Sequence, residues 1–413
     1  MKLQHLRCAG IDVHKRRVTV CVRVVEEGVA RIEIREFGTT TGELLELCDW
    51  LKENRIPSLA MESTGSYWKP LYNLMEGDFQ ILLANAQHMK AVPGRKTDTK
   101  DAEWISELFA HGLLRASFVP NVEQRGMREL TRTRASLVGE RARLANRIQK
   151  VLEDANIKLA SVAANVLGVS GRVMLKAIID GEEDPKAISE LARGLLRKKI
   201  PELEQAVQGR VRPHHRIVLR ELLKQVESLD DSVRVLEKAI EEAMADSDRP
   251  FETSVSLLCT IPGVAEVGAR SVLAELGTDM DQFPSERHIS SWVGVAPGNH
   301  ESAGKRLSGR TTAGNAWVKR CLVQMAHAAA KAKNSYFQAM YRRLARRIGR
   351  KRAIVAVAHA LLVAMYHMLK NGVPYEELGE GYFDQLNAQK TVKHLLDRLA
   401  KLGVTVQVQE AAV

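Results

Sequence analysis

Four acids in the first quarter of the chain stand where an ordinary surface acid is not expected. Asp12 lies inside an apolar stretch, "GIDVHK", flanked by Ile11 and Val13. A carboxylate there costs several kcal/mol to desolvate unless it has a partner. Glu62 ends "SLAMES" and precedes Ser63, Thr64 and Gly65, so its side chain emerges at a sheet edge. Asp98 and Asp101 are three apart in a helical pattern and share a face. If the first and fourth strands pair and the helix crosses them, the four converge. Such a set, with no His or Cys, suits Mg²⁺ or Mn²⁺ and not zinc. The matching chemistry is phosphoryl transfer, with two divalent ions about 3.5–4 Å apart serving the attacking and leaving oxygens. Taken singly each acid has a plainer reading. Asp98 is also a helix N-terminal acid favoured by the dipole, and Glu62 is also an ion-pair partner for a nearby base.

A second constellation is "GNHESAGKRLSGRTTAGN", from Gly298 to Asn315, which gathers hydroxyls among positive charges. A serine hydroxyl attacks phosphate only when a base or metal activates it. Lys305, Arg306 and Arg310 suit phosphate binding and offset charge in a transition state. The same composition also describes a flexible basic loop that merely touches nucleic acid. Further basic positions are Arg132, Arg134, Arg141, Arg143 and Arg147, "RGLLRKK" and "GRVRPHHR". In "YRRLARRIGRKR", Arg342, Arg343, Arg346, Arg347 and Arg350 fall at helical spacing on one broad face, where they repel unless phosphates neutralise them. His14 follows Asp12 on the same strand face and reads as its hydrogen-bond partner. His214 and His215 have no third ligand at useful spacing and read as surface residues.

The elements that must hold these residues follow from periodicity. Residues 1–120 alternate strand and helix: two strands around "HKRR", a third at "RIEIREFG", a helix from about Thr41 to Asn54, and a strand at "SLAMES". A helix over Tyr67–Met75, a strand at "QILLANA" and a helix through "DTKDAEWISELFAHGLL" follow. The expectation is one mixed sheet covered by helices. Residues 121–250 read as helical. Leu130, Leu137, Leu144 and Val151 recur every seven residues. Leu219, Leu222, Val226, Leu229, Val233, Leu236 and Ile240 form an a/d seam, as in a coiled coil or an antiparallel hairpin. Residues 251–372 open with two helical runs around Pro262, Gly263 and Gly268, either a helix-hairpin-helix able to hold a phosphate or a plain αα-hairpin. Helices follow from about Ala316 and after Tyr341. The extension 373–413 adds a helix near Val392–Leu402 and a short strand, "VTVQVQ".

A net charge of +11 on 413 residues points to a polyanionic partner. Aromatic residues make up only 5%, which disfavours a base-stacking groove as the dominant surface. The five cysteines (Cys8, Cys21, Cys48, Cys259, Cys321) form no CxxC pair, so zinc ribbons and a disulfide framework are disfavoured and a reducing compartment is expected. No apolar leader opens the chain and no stretch looks long enough to span a membrane, so a cytosolic location is expected.

"GIDVHK", "MESTGSYW" and "GRKTDTKDA" resemble the DEDD signature of the RNase H/RuvC-like domain in the IS110 family of bacterial insertion-sequence transposases. "IPGVAEVGARSVLAELG" and "WVGVAPGNHESAGKRLSGRTTAGNAWVKRCL" resemble its C-terminal transposase domain. The resemblance covers the chain to about Gly372. It implies an RNase H/RuvC-like domain, a helical coiled-coil insert and a serine-bearing helical domain. It also implies Asp12, Glu62, Asp98 and Asp101 as Mg²⁺ ligands and a catalytic serine shortly after a Gly-x-x-Pro segment. Here Gly294–Pro297 leads to Ser302. The family has Ser-Gly directly, and Ala303 intervenes, so Ser308-Gly309 competes for the role. The resemblance further implies composite active sites in a homo-oligomer, dimer or tetramer, held partly by the coiled coil. A non-coding bridge RNA would guide choice of donor and target DNA. Two rival readings stay open: a metal-dependent nuclease for branched, Holliday-junction-type DNA with an idle Ser302, and a non-catalytic nucleic-acid-binding scaffold.

Overall fold

The computed structural model describes residues 3–63, 65–84, 101–245, 251–298, 300–302, 305–386 and 388–404. The chain divides into two compact units, Met1–Pro120 and Asn121–Val413.

The first unit is a five-stranded sheet built from β1 (Arg7–Val13), β2 (Arg17–Glu26), β3 (Val29–Gly38), β4 (Ser58–Glu62) and β5 (Gln80–Ala84). Its order is β3-β2-β1-β4-β5. The first three strands form an antiparallel meander, whereas β1–β4 and β4–β5 are parallel. Glu27 and Gly28, both at positive φ (51° and 80°), make the two-residue turn joining β2 to β3. Helices α1 (Thr41–Glu53) and α2 (Trp68–Met75) connect the strands. The Thr40 amide donates to Glu43 Oε2 at 3.1 Å and fixes the start of α1. Apolar residues of β1, β2 and β4 pack with Leu47, Leu51, Leu71 and Met75 of these helices. Cys8, Ala60 and Ala84 pack with Ile105, Leu108 and Phe109 of α3 (Asp101–Ala110). The contact is close enough to require glycine: a Cβ at Gly10 would lie 2.3 Å from the Ala102 carbonyl oxygen and the Ser106 nitrogen.

In the second unit, α4 (Val122–Asp154) and α6 (Pro213–Ala245) run antiparallel over 33 residues each, about 50 Å. Their direction is read from Arg134 to Glu237 (2.8 Å) and Arg141 to Asp230, pairs whose numbers rise on one helix and fall on the other. At one end Ile148 and Leu152 meet Leu219, Leu222 and Val226 in a core shared with α5 (Val169–Asp180) and short helices. At the other, Met127, Ile240 and Met244 enter the core of the following helices. The expected seam is thus buried at its ends, while Leu229, Val233 and Leu236 in its middle are half-buried.

The later helices of eight residues or more are α7 (Phe251–Cys259), α8 (Glu266–Leu276), α9 (Glu286–Val293), α10 (Ala316–Ala329), α11 (Tyr336–Ile348), α12 (Arg350–Asn371) and α13 (Ala388–Lys401). Gly263, between α7 and α8, has φ +88° and packs against the α10 backbone, its Cβ position 2.4 Å from Ala329 N. That glycine serves helix packing, which favours the plain αα-hairpin. Helix α12 corrects an expectation. It is 22 residues long and apolar enough to cross a membrane by length and composition. Its Ile354, Val357, Leu361, Leu362 and Met365 are instead buried in the core with α10 and α11 residues. A second correction concerns the arginine face: Gly349, at φ +84°, ends α11 and starts α12, so Arg350 does not continue the helix of Arg342 and Arg346. The strand expected at "VTVQVQ" lies, from Thr405 on, outside the described residues.

Candidate active site

Each unit gathers reactive residues. In the first, parallel pairing sets Ile11 opposite Met61. The next residues, Asp12 and Glu62, therefore stand side by side at the carboxyl ends of β1 and β4 and on one face. Helix α3 runs antiparallel to β1, since Ala102 lies against Gly10 while the Ala110 carbonyl accepts from the Gln4 amide at 2.8 Å. Its first residue, Asp101, lies accordingly at the Asp12 end of the sheet. The positive end of the helix dipole favours anions there. Asp98 lies outside the described residues. The Asp12 side chain is 17% exposed and meets His14 Nε2 at 2.9 Å, the local partnership the strand alternation implied. Among the described residues no lysine or arginine pairs with Asp12 or Glu62, so these two carboxylates, the first sharing one oxygen with His14, are the residues here that could serve a hard divalent cation.

The Gly298–Asn315 segment is not a featureless loop. It folds into a two-stranded hairpin, β6 (His300–Ser302) and β7 (Lys305–Ser308), with Ser302 opposite Lys305, Glu301 opposite Arg306 and His300 opposite Ser308. Ser302 is the last residue before the tip, and Ser308 sits at the root. The neck is closed by the Pro297–Thr311 bridge and by the Gly298 amide, which donates to the Arg310 carbonyl at 2.9 Å. Gly294 (φ +78°) and Gly314 (φ +53°) touch backbone to backbone, and a Cβ on Gly314 would lie 2.4 Å from Gly294 N. Lys319 Nζ donates to Thr311 Oγ1 at 2.7 Å.

Beside the neck lies a cleft of about 1120 Å³ whose lining includes Arg310, Arg347, Lys351 and Arg352. Arg350, Lys351 and Arg352 open α12, where the helix dipole is positive and cations are unfavourable by about 0.3–1 kcal/mol each. A bound phosphate chain would reverse that penalty. The signal is present in the sequence as three basic residues directly after Gly349, hidden there by a helical period that continues across the glycine. Arg342 and Arg346 are exposed on α11, and Arg343 lies 5.0 Å from the Phe383 ring centre.

The structure turns three other expected basic positions inward. Arg132 binds Glu275, Arg134 binds Glu237, and Arg141 binds Asp230 together with Arg172, while Arg143 and Arg147 stay exposed. His215 is buried, contrary to its surface reading. Its Nε2 lies 2.8 Å from Asp154 Oδ2 while its Nδ1 accepts from the Arg212 amide at 3.2 Å. His214, His215 and Asp154 do draw together within 4.8 Å. Both nitrogens of His215 are already engaged, with the proton on Nε2, which opposes metal ligation.

Comparison with known proteins matches both units to transposase sequences. A DEDD-type transposase family of IS110 elements matches residues 9–157, and the transposase IS116/IS110/IS902 family matches residues 255–342. The transposase for insertion sequence element IS1111A of Coxiella burnetii is 26% identical over 368 residues, covering 86% of this chain and 88% of the relative. A probable family 20 transposase of Pseudomonas aeruginosa is 27% identical over 356 residues, covering 85% and 89%. The pilin gene-inverting protein of Moraxella bovis is 26% identical over 125 residues, covering 30% and 38%. With both of its characteristic regions matched in order, the chain belongs to the IS110 family of insertion-sequence transposases.

Proposed function

We propose that the protein cuts and rejoins donor and target DNA through a covalent phosphoserine intermediate, with Ser302 as nucleophile and a Mg²⁺-binding, RNase H/RuvC-like acidic site. The observation that carries the reading is the hairpin: it presents Ser302 at its tip opposite Lys305, on a neck fixed by glycine contacts and flanked by a basic cleft. The strand order β3-β2-β1-β4-β5, three antiparallel then two parallel, supports the RNase H/RuvC-like assignment of the sheet.

In this mechanism the Ser302 Oγ–P bond forms as the bond from phosphorus to the leaving deoxyribose oxygen breaks. The serine proton passes to a base, and the leaving oxygen gains a proton. Rejoining runs the same exchange in reverse with an incoming strand hydroxyl, so the phosphodiester energy is conserved. Lys305, Arg306 and Arg310 bind phosphate oxygens and offset the charge of the pentacoordinate state. Arg342, Arg346 and Arg350, with Arg347, Lys351 and Arg352, track the DNA backbone without reading sequence. Divalent metal held by Asp12, Glu62, Asp98 and Asp101 would supply Lewis-acid stabilisation of a phosphoryl oxygen. Guidance by a bridge RNA and assembly into a dimer or tetramer rest on the family resemblance. DNA inversion by the Moraxella relative, as its name states, is in keeping with recombination.

Covalent trapping tests this. The full-length protein, RNA transcribed from the element, Mg²⁺ and nicked element DNA are incubated, denatured and mapped by mass spectrometry. A DNA adduct on Ser302 that Ser302→Ala abolishes is expected, with none on Asp12→Asn. An adduct on Ser308 moves the nucleophile to the root of the hairpin. Cleaved DNA without any adduct makes water the nucleophile and establishes the nuclease reading.

A further inference from the structure

We infer that Glu275 is a positioning residue for the serine hairpin, tying the hairpin's neck to the long helix α4 through Asn315. Glu275 lies at the end of α8, and its side chain is 2% exposed. It is neither a surface acid nor half of a simple ion pair. Arg132 of α4 clasps it with two parallel hydrogen bonds, Nε to Oε1 at 2.6 Å and Nη2 to Oε2 at 2.8 Å. One turn earlier on α4, Arg128 Nε reaches Oε2 at 3.5 Å and also donates to the Ala274 carbonyl at 3.2 Å. The last partner is Asn315 Nδ2, 2.8 Å from Oε2.

Asn315 is where the hairpin's return strand enters α10. Its Oδ1 accepts from the Trp317 and Val318 amides at 3.0 and 3.2 Å, so the side chain caps α10. Its own amide donates to the Trp292 carbonyl at 3.0 Å, on the outgoing side of the neck. One side chain thus joins the neck, the helix after it and Glu275. A cap alone needs only an oxygen, which Asp or Ser supplies equally well. The Nδ2 donor is the part that only the carboxylate uses. A bidentate Arg–carboxylate pair fixes angle as well as distance, so the neck inherits its placement from α4. The arrangement is costly to break from the arginine side, because the buried Glu275 carboxylate left unpaired is strongly destabilising. That cost is what a positional reference requires, since Ser302 lies only a short hairpin beyond the neck.

The inference rests on the hairpin being the reacting segment, and the test separates the two ideas. Asn315→Ser keeps the capping oxygen and removes the donor to Glu275. Glu275→Gln keeps shape and removes the charge. With the full-length protein, RNA transcribed from the element and a plasmid carrying the whole element, strand cleavage at saturating DNA falls about tenfold in each variant. DNA affinity stays within about twofold, the Asn315→Ser melting temperature is held, and the double variant loses no more than the worse single. Amide exchange at Gly298 and Asn315 quickens in Asn315→Ser. Unchanged cleavage, or losses that multiply in the double, overturns the inference. If the parent cleaves without a serine adduct, the serine reading fails by itself. Neck exchange then decides alone, and unchanged exchange refutes the coupling.

Discussion

Replacing Gly10 with alanine reaches the acidic site without touching an acid. The added Cβ falls 2.3 Å from the Ala102 carbonyl oxygen and the Ser106 nitrogen and 2.8 Å from Ser106 Cα, all backbone atoms of α3. Carbon contacts settle near 3.5–4.0 Å, so the helix must retreat by about 1 Å. It is not free to do so quietly. Ser106 Oγ lies 3.3 Å from both Cys21 Sγ and Arg23 Nε, and Ile105, Leu108 and Phe109 are buried beneath. Overpacking of this kind costs about 1–3 kcal/mol, or roughly 4 °C of melting temperature per kcal/mol for a unit of this size. Asp101 moves with the helix end while Asp12 and Glu62 stay on their strands, and a 1 Å misplacement costs up to about 100-fold in rate. Calorimetry of the full chain and plasmid excision by the same preparation read both effects. Gly126→Ala is the control: its Cβ, on the exposed side of α4, meets nothing within 4 Å, and the change should stabilise by about 0.5–1 kcal/mol. A Gly10→Ala protein with parental melting and parental excision would refute the placement of α3 on β1 and the share of Asp101 in the site.

Further outcomes follow from charge and burial. Joint replacement of Arg347, Lys351 and Arg352 with alanine should weaken binding to unrelated duplexes uniformly and lower the slope of log affinity against log salt by about 2–3, measured by filter binding. Burial raises the Asp230 carboxyl, but hydrogen bonds and charge from Arg141 and Arg172 outweigh it and hold the pKa below its ordinary value. That stabilisation is present above the unfolded carboxyl value and is lost as pH falls through the folded one, so Asp230→Asn should flatten the acid limb of a melting-temperature profile. Burial pushes the Cys8 and Cys321 thiols up to about 11, with smaller contributions from nearby arginines opposing it. Both should resist maleimide at pH 8 until the chain unfolds, as mass spectrometry would read. The stability they contribute falls as pH rises from the unfolded thiol value near 9 towards 11, because the unfolded state loses the protons first.

How much was legible beforehand depended on whether a feature was local. Strand patterns around Asp12 and before Glu62, and the periodicity of α1 and α3, are properties of neighbouring residues, and the elements formed where those patterns lay. The types of the acids also set which class of metal such a set would prefer if it binds one, because ligand hardness belongs to the residues themselves. The side-by-side placement of Asp12 and Glu62 needed the parallel register of β1 and β4, which pairs residues fifty positions apart. The hairpin was illegible because a polar, glycine-rich run has no apolar alternation, and its shape comes from a neck clamped by Gly294, Gly314 and Asn315.

Charge showed the same division most sharply. The sequence by itself determined that the chain is basic and where its arginines recur, since charge and period are read residue by residue. Only the tertiary structure decided which of them face outward. Arg132, Arg134 and Arg141 carry the same charge at similar spacing as Arg143 and Arg147, yet the first three are bound to Glu275, Glu237 and Asp230, each some ninety or more residues away. An ion pair depends on the distance between two side chains in space, and that distance is set by how α4 packs against α6 and α8, which no local pattern encodes.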